Sequence, residues 1–190
     1  MTEKLYYKDV TCSSFTGMVL SCEEAEDRFA VILDKTAFFP EGGGQGADTG
    51  FIGDAAVSDV QEVGDAIFHY TDKALEPGKE YPCTLNWDLR FLRMQNHTGE
   101  HIISGTVHKL YGFENVGFHM GDGFCTADFD GELTQEQLET VERIANEAVW
   151  NNAKVTCLYP ESKELPSLHY RSKLELTENV RLVDIEGYDR

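Results

Sequence analysis

No window of this 190-residue chain approaches the roughly 18 consecutive apolar residues that a membrane-spanning helix needs. No membrane partner is therefore expected. The opening Met1-Thr2-Glu3-Lys4 lacks a basic segment followed by an apolar one, and the expected location is cytoplasmic. The five cysteines, Cys12, Cys22, Cys83, Cys125 and Cys157, are odd in number and contain no Cys-x-x-Cys pair, which excludes a disulfide framework and a zinc ribbon. Most are expected as small buried apolar residues. Basic side chains are also scarce: 16 against 34 acidic ones give a formal net charge of −18, so long-range attraction to a polyanion is disfavoured and any nucleic-acid contact must be local. The acidic residues read mainly as a solvated surface.

What is present is patterned. Lys4 to about Leu85 reads as short strands. Met18-Val19-Leu20, Phe29 to Leu33 and Ala66 to Tyr70 are apolar or alternating runs bounded by Gly, Asp or Pro, a spacing that predicts a small β-barrel. Glu76-Pro77-Gly78-Lys79 is a turn signal before a strand over Glu80 to Leu85. Asp88 is then expected to cap a long helix reaching about Tyr111 and stopped by Gly112. Because the composition changes here, a boundary is expected near Asn86, between a β-barrel-like domain (1–86) and an α+β domain (87–190).

Gly117 to Asp130 reads as strands around a Gly121-Asp122-Gly123 turn. Thr134, with Gln137 at capping-box spacing, opens a second helix. Its apolar face is Leu138, Val141, Ile144, Ala145, Ala148 and Val149, which should pack on a sheet. Val155 to Tyr159 and Val180 to Ile185 complete the strand set, and the class is α+β.

On the long helix, His97 and His101 stand four residues apart, which puts both imidazoles on one face at a separation that lets two nitrogens bind one metal. Zinc takes about four ligands, so the pair is half of a site. Cys125 and His119 fit structural roles better than ligation, as does His108; His69 and His169 belong to no motif. His97-Thr98-Gly99-Glu100-His101 also fits the His-x-x-Glu-His pattern of inverted zinc proteases, with Glu100 as base, but those enzymes are much larger and have no glycine loop. Gly42-x-Gly44-x-x-Ala47 formally matches a loosened dinucleotide fingerprint, yet Asp48-Thr49-Gly50 cannot open the helix that would receive a pyrophosphate. The tripeptide occurs once and reads as a turn rather than as half of an aspartic protease centre.

Phe38-Phe39-Pro40-Glu41-Gly42-Gly43-Gly44-Gln45, followed downstream by Arg93-Met94-Gln95-Asn96-His97-Thr98-Gly99-Glu100-His101-Ile102-Ile103-Ser104, resembles the free-standing alanyl-tRNA editing proteins (the AlaX family) and the related editing domain of alanyl-tRNA synthetase. The resemblance spans nearly the whole chain. It implies that the glycine loop belongs to an N-terminal barrel, that His97 and His101 are zinc ligands, and that a later Cys-x-x-x-His supplies two more. Val180 to Asp189 resembles the strand leading into that second half-site; no Cys-x-x-x-His occurs up to Arg190, so the remaining ligands are expected beyond it. A domain incomplete at its C-terminus, with little or no activity of its own, is the matching expectation.

The same resemblance implies zinc-dependent hydrolysis, in trans, of the ester joining serine or glycine to tRNA(Ala). Such editing is needed because serine and glycine differ from alanine by one small group, which a binding pocket rejects weakly. Gly42, Gly43 and Gly44 would let the loop approach the aminoacylated end, with Gln45 offering an amide, across a cleft from the histidine helix. Glu100 fits an orienting or basic role beside the metal, against a solvated helix position. Arg90 and Arg93, on a similar face, could meet phosphates or pair within the chain. The alternative to the enzyme is a metal-free module that binds tRNA or a partner without hydrolysis.

Overall fold

The computed structural model describes residues 2–121, 123–168, 170 and 180–189. Asp122 of the expected turn, His169 and Arg190 lie outside the described residues. In chain order the strands are β1 (Glu3–Lys4), β2 (Ser14–Ala25), β3 (Arg28–Leu33), β4 (Lys35–Thr36), β5 (Gly50–Ile52), β6 (Ala55–Val63), β7 (Ala66–Thr71) and β8 (Glu80–Leu85). The first helix, α1 (Trp87–Tyr111), is followed by β9 (Asn115–Met120), β10 (Cys125–Phe129), α2 (Gln135–Trp150), β11 (Val155–Leu158) and β12 (Leu182–Ile185). The architecture is α+β, with two α-helices among the described residues. It divides into two compact units, Met1–Gln95 and Asn96–Arg190, with the border inside α1.

In the first unit six antiparallel strands hydrogen-bond in the order β2-β3-β7-β6-β5-β8, and β8 returns to β2, so the sheet closes into a ring. A closed ring leaves no edge of unpaired backbone groups. Alternation supplies its interior: Val31 and Leu33 from β3, Ile67, His69 and Thr71 from β7, and Cys83 and Leu85 from β8 are all buried. In β6 the buried positions change phase, from Ala55 and Val57 to Val60, because the register shifts between Val57 and Asp59. One extra residue in a strand turns the following side chains to the opposite face. β2, at 12 residues, is longer than the short strands expected there.

His69, attached to no motif in the sequence, is a core residue of this ring. Its Nδ1 lies 3.1 Å from the Val31 carbonyl oxygen and its Nε2 2.8 Å from Thr36 Oγ1. A carbonyl only accepts, so Nδ1 donates, and Nε2 accepts the threonine hydroxyl. Burial, opposed by the Val31 bond, brings the imidazole down to about 4.

The cap of α1 is Asn86 rather than Asp88. Asn86 Oδ1 accepts the Leu89 amide at 3.3 Å, and its carbonyl accepts the Arg90 amide at 3.1 Å; Asp88 sits in the first turn, where a negative charge suits the helix dipole. Gly112, with φ of +73°, ends the helix as expected.

In the second unit β9 pairs with β10 and β11 with β12, both antiparallel. Thr134 and Gln137 form the expected capping box. The apolar face of α2 is narrower than its spacing implied: Val141 and Ala148 are buried, whereas Leu138 and Val149 are exposed. Ala148 packs with Ile102 of α1 and Ile185 of β12, joined by Ala145, Ala153 and Tyr188. The face is thus shared between a helix and a two-stranded ribbon rather than spread on a broad sheet. The cysteines are free, but only Cys83 is buried; Cys12, Cys22 and Cys157 are half-buried and Cys125 is exposed. No helix among the described residues is long and apolar enough to cross a membrane.

Candidate functional site

The glycine loop is a tight reversal. Gly42 and Gln45 exchange backbone hydrogen bonds of 3.0 Å in both directions, and between them Gly43 and Gly44 take φ of +60° and +80°. Two successive left-handed residues make a type I′ turn, which a side chain at either position would strain. Gln45 is buried.

Behind the turn, the loop is tied to the N-terminal half of α1. Arg90 is buried and spans Asp48: Nε lies 3.0 Å from Oδ1 and 2.8 Å from Oδ2, and Nη2 also donates to Oδ2. The same guanidinium reaches the Ala37 carbonyl at 2.6 Å and the Val10 carbonyl at 3.2 Å. Asp48 additionally accepts the Phe39 amide at 2.7 Å, which gives the Asp48-Thr49-Gly50 stretch a packing role. Arg93 donates to the Ala47 carbonyl, and a Cβ added at Gly46 would lie 2.9 Å from its Nη2. Both arginines thus pair within the chain, which is one of the two roles expected of them.

In the second unit, His97 and His101 stack one turn apart, with ring centroids at 5.2 Å and planes 18° apart. Phe118 of β9 lies 5.9 Å from the His97 ring. Burial first, then the neighbouring His101 and Arg181, hold His97 below the ordinary histidine range, against an opposing pull from Glu100. A neutral imidazole is the form that ligates metals.

Two carboxylates flank His101. Asp189 Oδ2 lies 2.8 Å from its Nδ1. Glu100 Oε2 lies 3.8 Å from its Nε2. Glu100 is no solvated helix residue: its side chain is 8% exposed, and Oε1 accepts from Ser104 Oγ and, at 2.8 Å, from Asn115 Nδ2. His108 pairs with Glu114 at 2.9 Å. His119 and Cys125 occupy the β9–β10 ribbon, on strands paired with each other.

The donor chemistry fits half of a zinc site. Both nitrogens come from one helix face, and one histidine carries the carboxylate partner typical of metal-bound imidazoles. No group of three or more His, Cys, Asp or Glu that could hold a metal occurs among the described residues, so a complete site requires further donors. Asn115 carried no signal in the sequence, and Asp189 was read only as part of the strand leading to the second half-site; they are separated from their partners by 15 and 88 residues.

Comparison with known proteins adds a second line of observation. The chain is 31% identical over 198 residues to the alanyl-tRNA editing protein AlaX-L of Pyrococcus horikoshii, covering 100% of this chain and 49% of the relative. It is 36% identical over 172 residues to the alanyl-tRNA editing protein Aarsd1-A of Xenopus laevis, covering 85% of this chain and 40% of the relative. This chain is a homologue of the alanyl-tRNA editing proteins. It is also 34% identical over 200 residues to the alanine–tRNA ligase of Ignicoccus hospitalis, of which it spans 22%, and the family model of class II tRNA synthetases (A) matches residues 1–89. The chain spans less than half the length of these relatives.

Proposed function

We propose that this chain carries the editing activity its relatives are named for: hydrolysis of the ester that joins a wrong amino acid, serine or glycine, to tRNA(Ala). The observation that carries the reading is the stacked His97–His101 pair, held on one face of α1 in a homologue of editing proteins. The ring of the first unit then serves as the N-terminal barrel of that family. We assign His97 and His101 as two of the ligands of a zinc ion. Bound there, zinc would polarise the ester carbonyl or orient the aminoacyl group and activate water.

The chain's own residues do the rest. Glu100, with Oε1 occupied by Ser104 and Asn115, presents Oε2 toward His101 and is the candidate base. The turn at Gly42, Gly43 and Gly44, which lacks side chains at its tip, admits the acceptor end of tRNA(Ala), and Gln45 fixes its base. Arg90 and Arg93 hold the loop rather than phosphates. As tRNA is the partner and the net charge is −18, its contact relies on local hydrogen bonds more than on long-range attraction. The expected setting is the cytoplasm.

The test is replacement of His97 or His101 by Ala in the protein, with zinc content and Ser-tRNA(Ala) deacylation measured together. Both should be lost in each variant, because each leaves the metal short of a ligand. Undiminished deacylation by a metal-depleted double variant would overturn the metal mechanism. A second reading is a metal-free module that binds tRNA or a partner without hydrolysis; it needs no more than the described residues, among which no group of three or more His, Cys, Asp or Glu that could hold a metal occurs. It predicts unchanged tRNA binding in the same variants and no turnover in the parent.

A further inference from the structure

We propose that Asp189 is a positioning residue that sets the tautomer of His101, and that Gly105 is what allows it to reach that histidine. The role given to Nε2 rests on the editing reading; the tautomer itself does not.

Asp189 Oδ2 lies 2.8 Å from His101 Nδ1, and the two side chains differ sharply in exposure, 5% for the carboxylate and 45% for the imidazole. A carboxylate only accepts, so the ring proton sits on Nδ1 and the lone pair is left on Nε2. Nε2 then carries the lone pair that a Lewis acid would take. An unassisted histidine side chain favours the opposite tautomer, with the proton on Nε2, so this carboxylate selects the less common form.

The placement of Asp189 is built, not incidental. After β12 the chain reverses through Gly187, with φ of +85°. The reversal is closed by hydrogen bonds from the Tyr188 and Asp189 amides to the Ile185 carbonyl, at 2.9 and 3.1 Å, and from the Ile185 amide to the Asp189 carbonyl at 2.8 Å. Ile185 is itself in the core with Ile102 and Ala148, so the turn is anchored to a fixed point.

On α1 the face that meets this turn is His101, Gly105 and Lys109, at i, i+4 and i+8. Lys109 Nζ lies 3.5 Å from the Gly187 carbonyl. At Gly105 a Cβ would strike the Tyr188 carbonyl oxygen and lie 3.0 Å from Asp189 Cβ. That oxygen belongs to backbone and cannot step aside without moving Asp189 as well. Helix Gly is normally a cost relative to Ala; here its missing side chain sets the distance between helix and turn.

The experiment is ¹⁵N–¹H NMR of the histidine rings at about pH 8, above the ordinary histidine range, on the parent, Asp189→Ala and Gly105→Ala, followed by titration with Zn²⁺ alone. In the parent the His101 proton should be found on Nδ1. In D189A it should move to Nε2 while His97 keeps its tautomer, and Zn²⁺ affinity should fall about 10- to 100-fold. G105A, which retains the carboxylate but displaces it, should reproduce the tautomer change; should G105A not fold, D189A alone decides.

A proton that stays on Nδ1 in D189A overturns the proposal. So does a change that reaches His97 and the far-ultraviolet circular dichroism together, since that signals collapse rather than positioning. A parent with the proton on Nδ1 but neither Zn²⁺ binding nor Ser-tRNA deacylation refutes the editing reading and leaves the assignment of Asp189 standing.

Discussion

Replacing Arg90 by Met separates two roles that an arginine on this helix could have. Asp48 and Arg90 are 2% and 3% exposed, and the guanidinium donates to both carboxylate oxygens and to the carbonyls of Ala37 and Val10. Met fills much of the stem's volume but strands the Asp48 charge in the interior, with the Phe39 amide at 2.7 Å as its remaining described donor. Breaking a buried pair by removing one partner costs about 3–5 kcal/mol, a large part of the roughly 5–15 kcal/mol that holds a typical domain. At a urea slope of about 2 kcal/mol per molar, the midpoint should fall by about 2 M, read from the fluorescence of Trp87 at the start of α1. Lys at this position keeps the charge but not the planar fork, and should fall between parent and Met. An Asp48→Asn, Arg90→Met double variant should be less damaged than R90M, because no charge is left alone. A loss below about 1 kcal/mol in R90M, the scale of an exposed pair, accompanied by weakened tRNA binding, would refute the reasoning and return Arg90 to the substrate.

The His69 ring, held at about 4 by burial against about 6.5 in an unfolded chain, makes the first unit more stable as pH rises. The unfolded state binds the extra proton between those values, so stability present above pH 6.5 is lost as pH falls toward about 4, by about 3 kcal/mol in total. Urea midpoints across that window should show this slope in the parent and lack its His69 share in His69→Leu; identical slopes would contradict it. Thr134→Ala removes the side-chain acceptor for the Gln137 amide and should cost the second unit about 1 kcal/mol, seen as faster hydrogen exchange in the first turn of α2. Gln45→Ala should lower deacylation while leaving zinc content unchanged; equal rates would assign the loop to structure alone.

What the sequence made legible was local. The capping box at Thr134 and Gln137, the stop at Gly112 and the alternation along β3 and β7 all depend on residues a few positions apart, where pattern and geometry coincide. The cap of α1 was misplaced by two positions because both Asn86 and Asp88 are competent caps, and only the backbone shows which one leaves the helix. Leu138 and Val149 fit the apolar period of α2, but Ile102 and Ile185 pack on that face at Ala148 and leave both exposed. The phase change in β6 follows from a register shift that the composition of Ala55 to Val63 does not announce. In the candidate site the histidine pair was visible as a spacing. Its pairing with Asp189, 88 residues from His101, was not, and neither was that of Arg90 with Asp48, 42 residues away. Those pairings exist only because sheet and helix bring distant segments together.

Glu100 was legible as a residue near the pair but not as a buried one, and its burial makes a sharp experiment possible. Its Oε1 binds Ser104 and Asn115, and Asn115 Nδ2 lies 3.2 Å from Ser104 Oγ, so the three side chains close a small network at the start of β9. Its Oε2 is the atom nearest His101 Nε2, at 3.8 Å. Glu100→Gln keeps the oxygen that serves the network and replaces only the one facing the histidine, so the fold should lose no more than about 1 kcal/mol. Glu100→Ala removes the acceptor that Ser104 and Asn115 share, at about 1–3 kcal/mol. If the carboxylate acts as a base in deacylation, E100Q should lower kcat by about 10²- to 10⁴-fold with zinc content intact, although the folded structure is nearly unchanged. If it serves only the network, E100Q should turn over within a few-fold of the parent while E100A is destabilised. Parental turnover in E100Q would therefore remove Glu100 from the chemistry and confine it to holding β9 against α1.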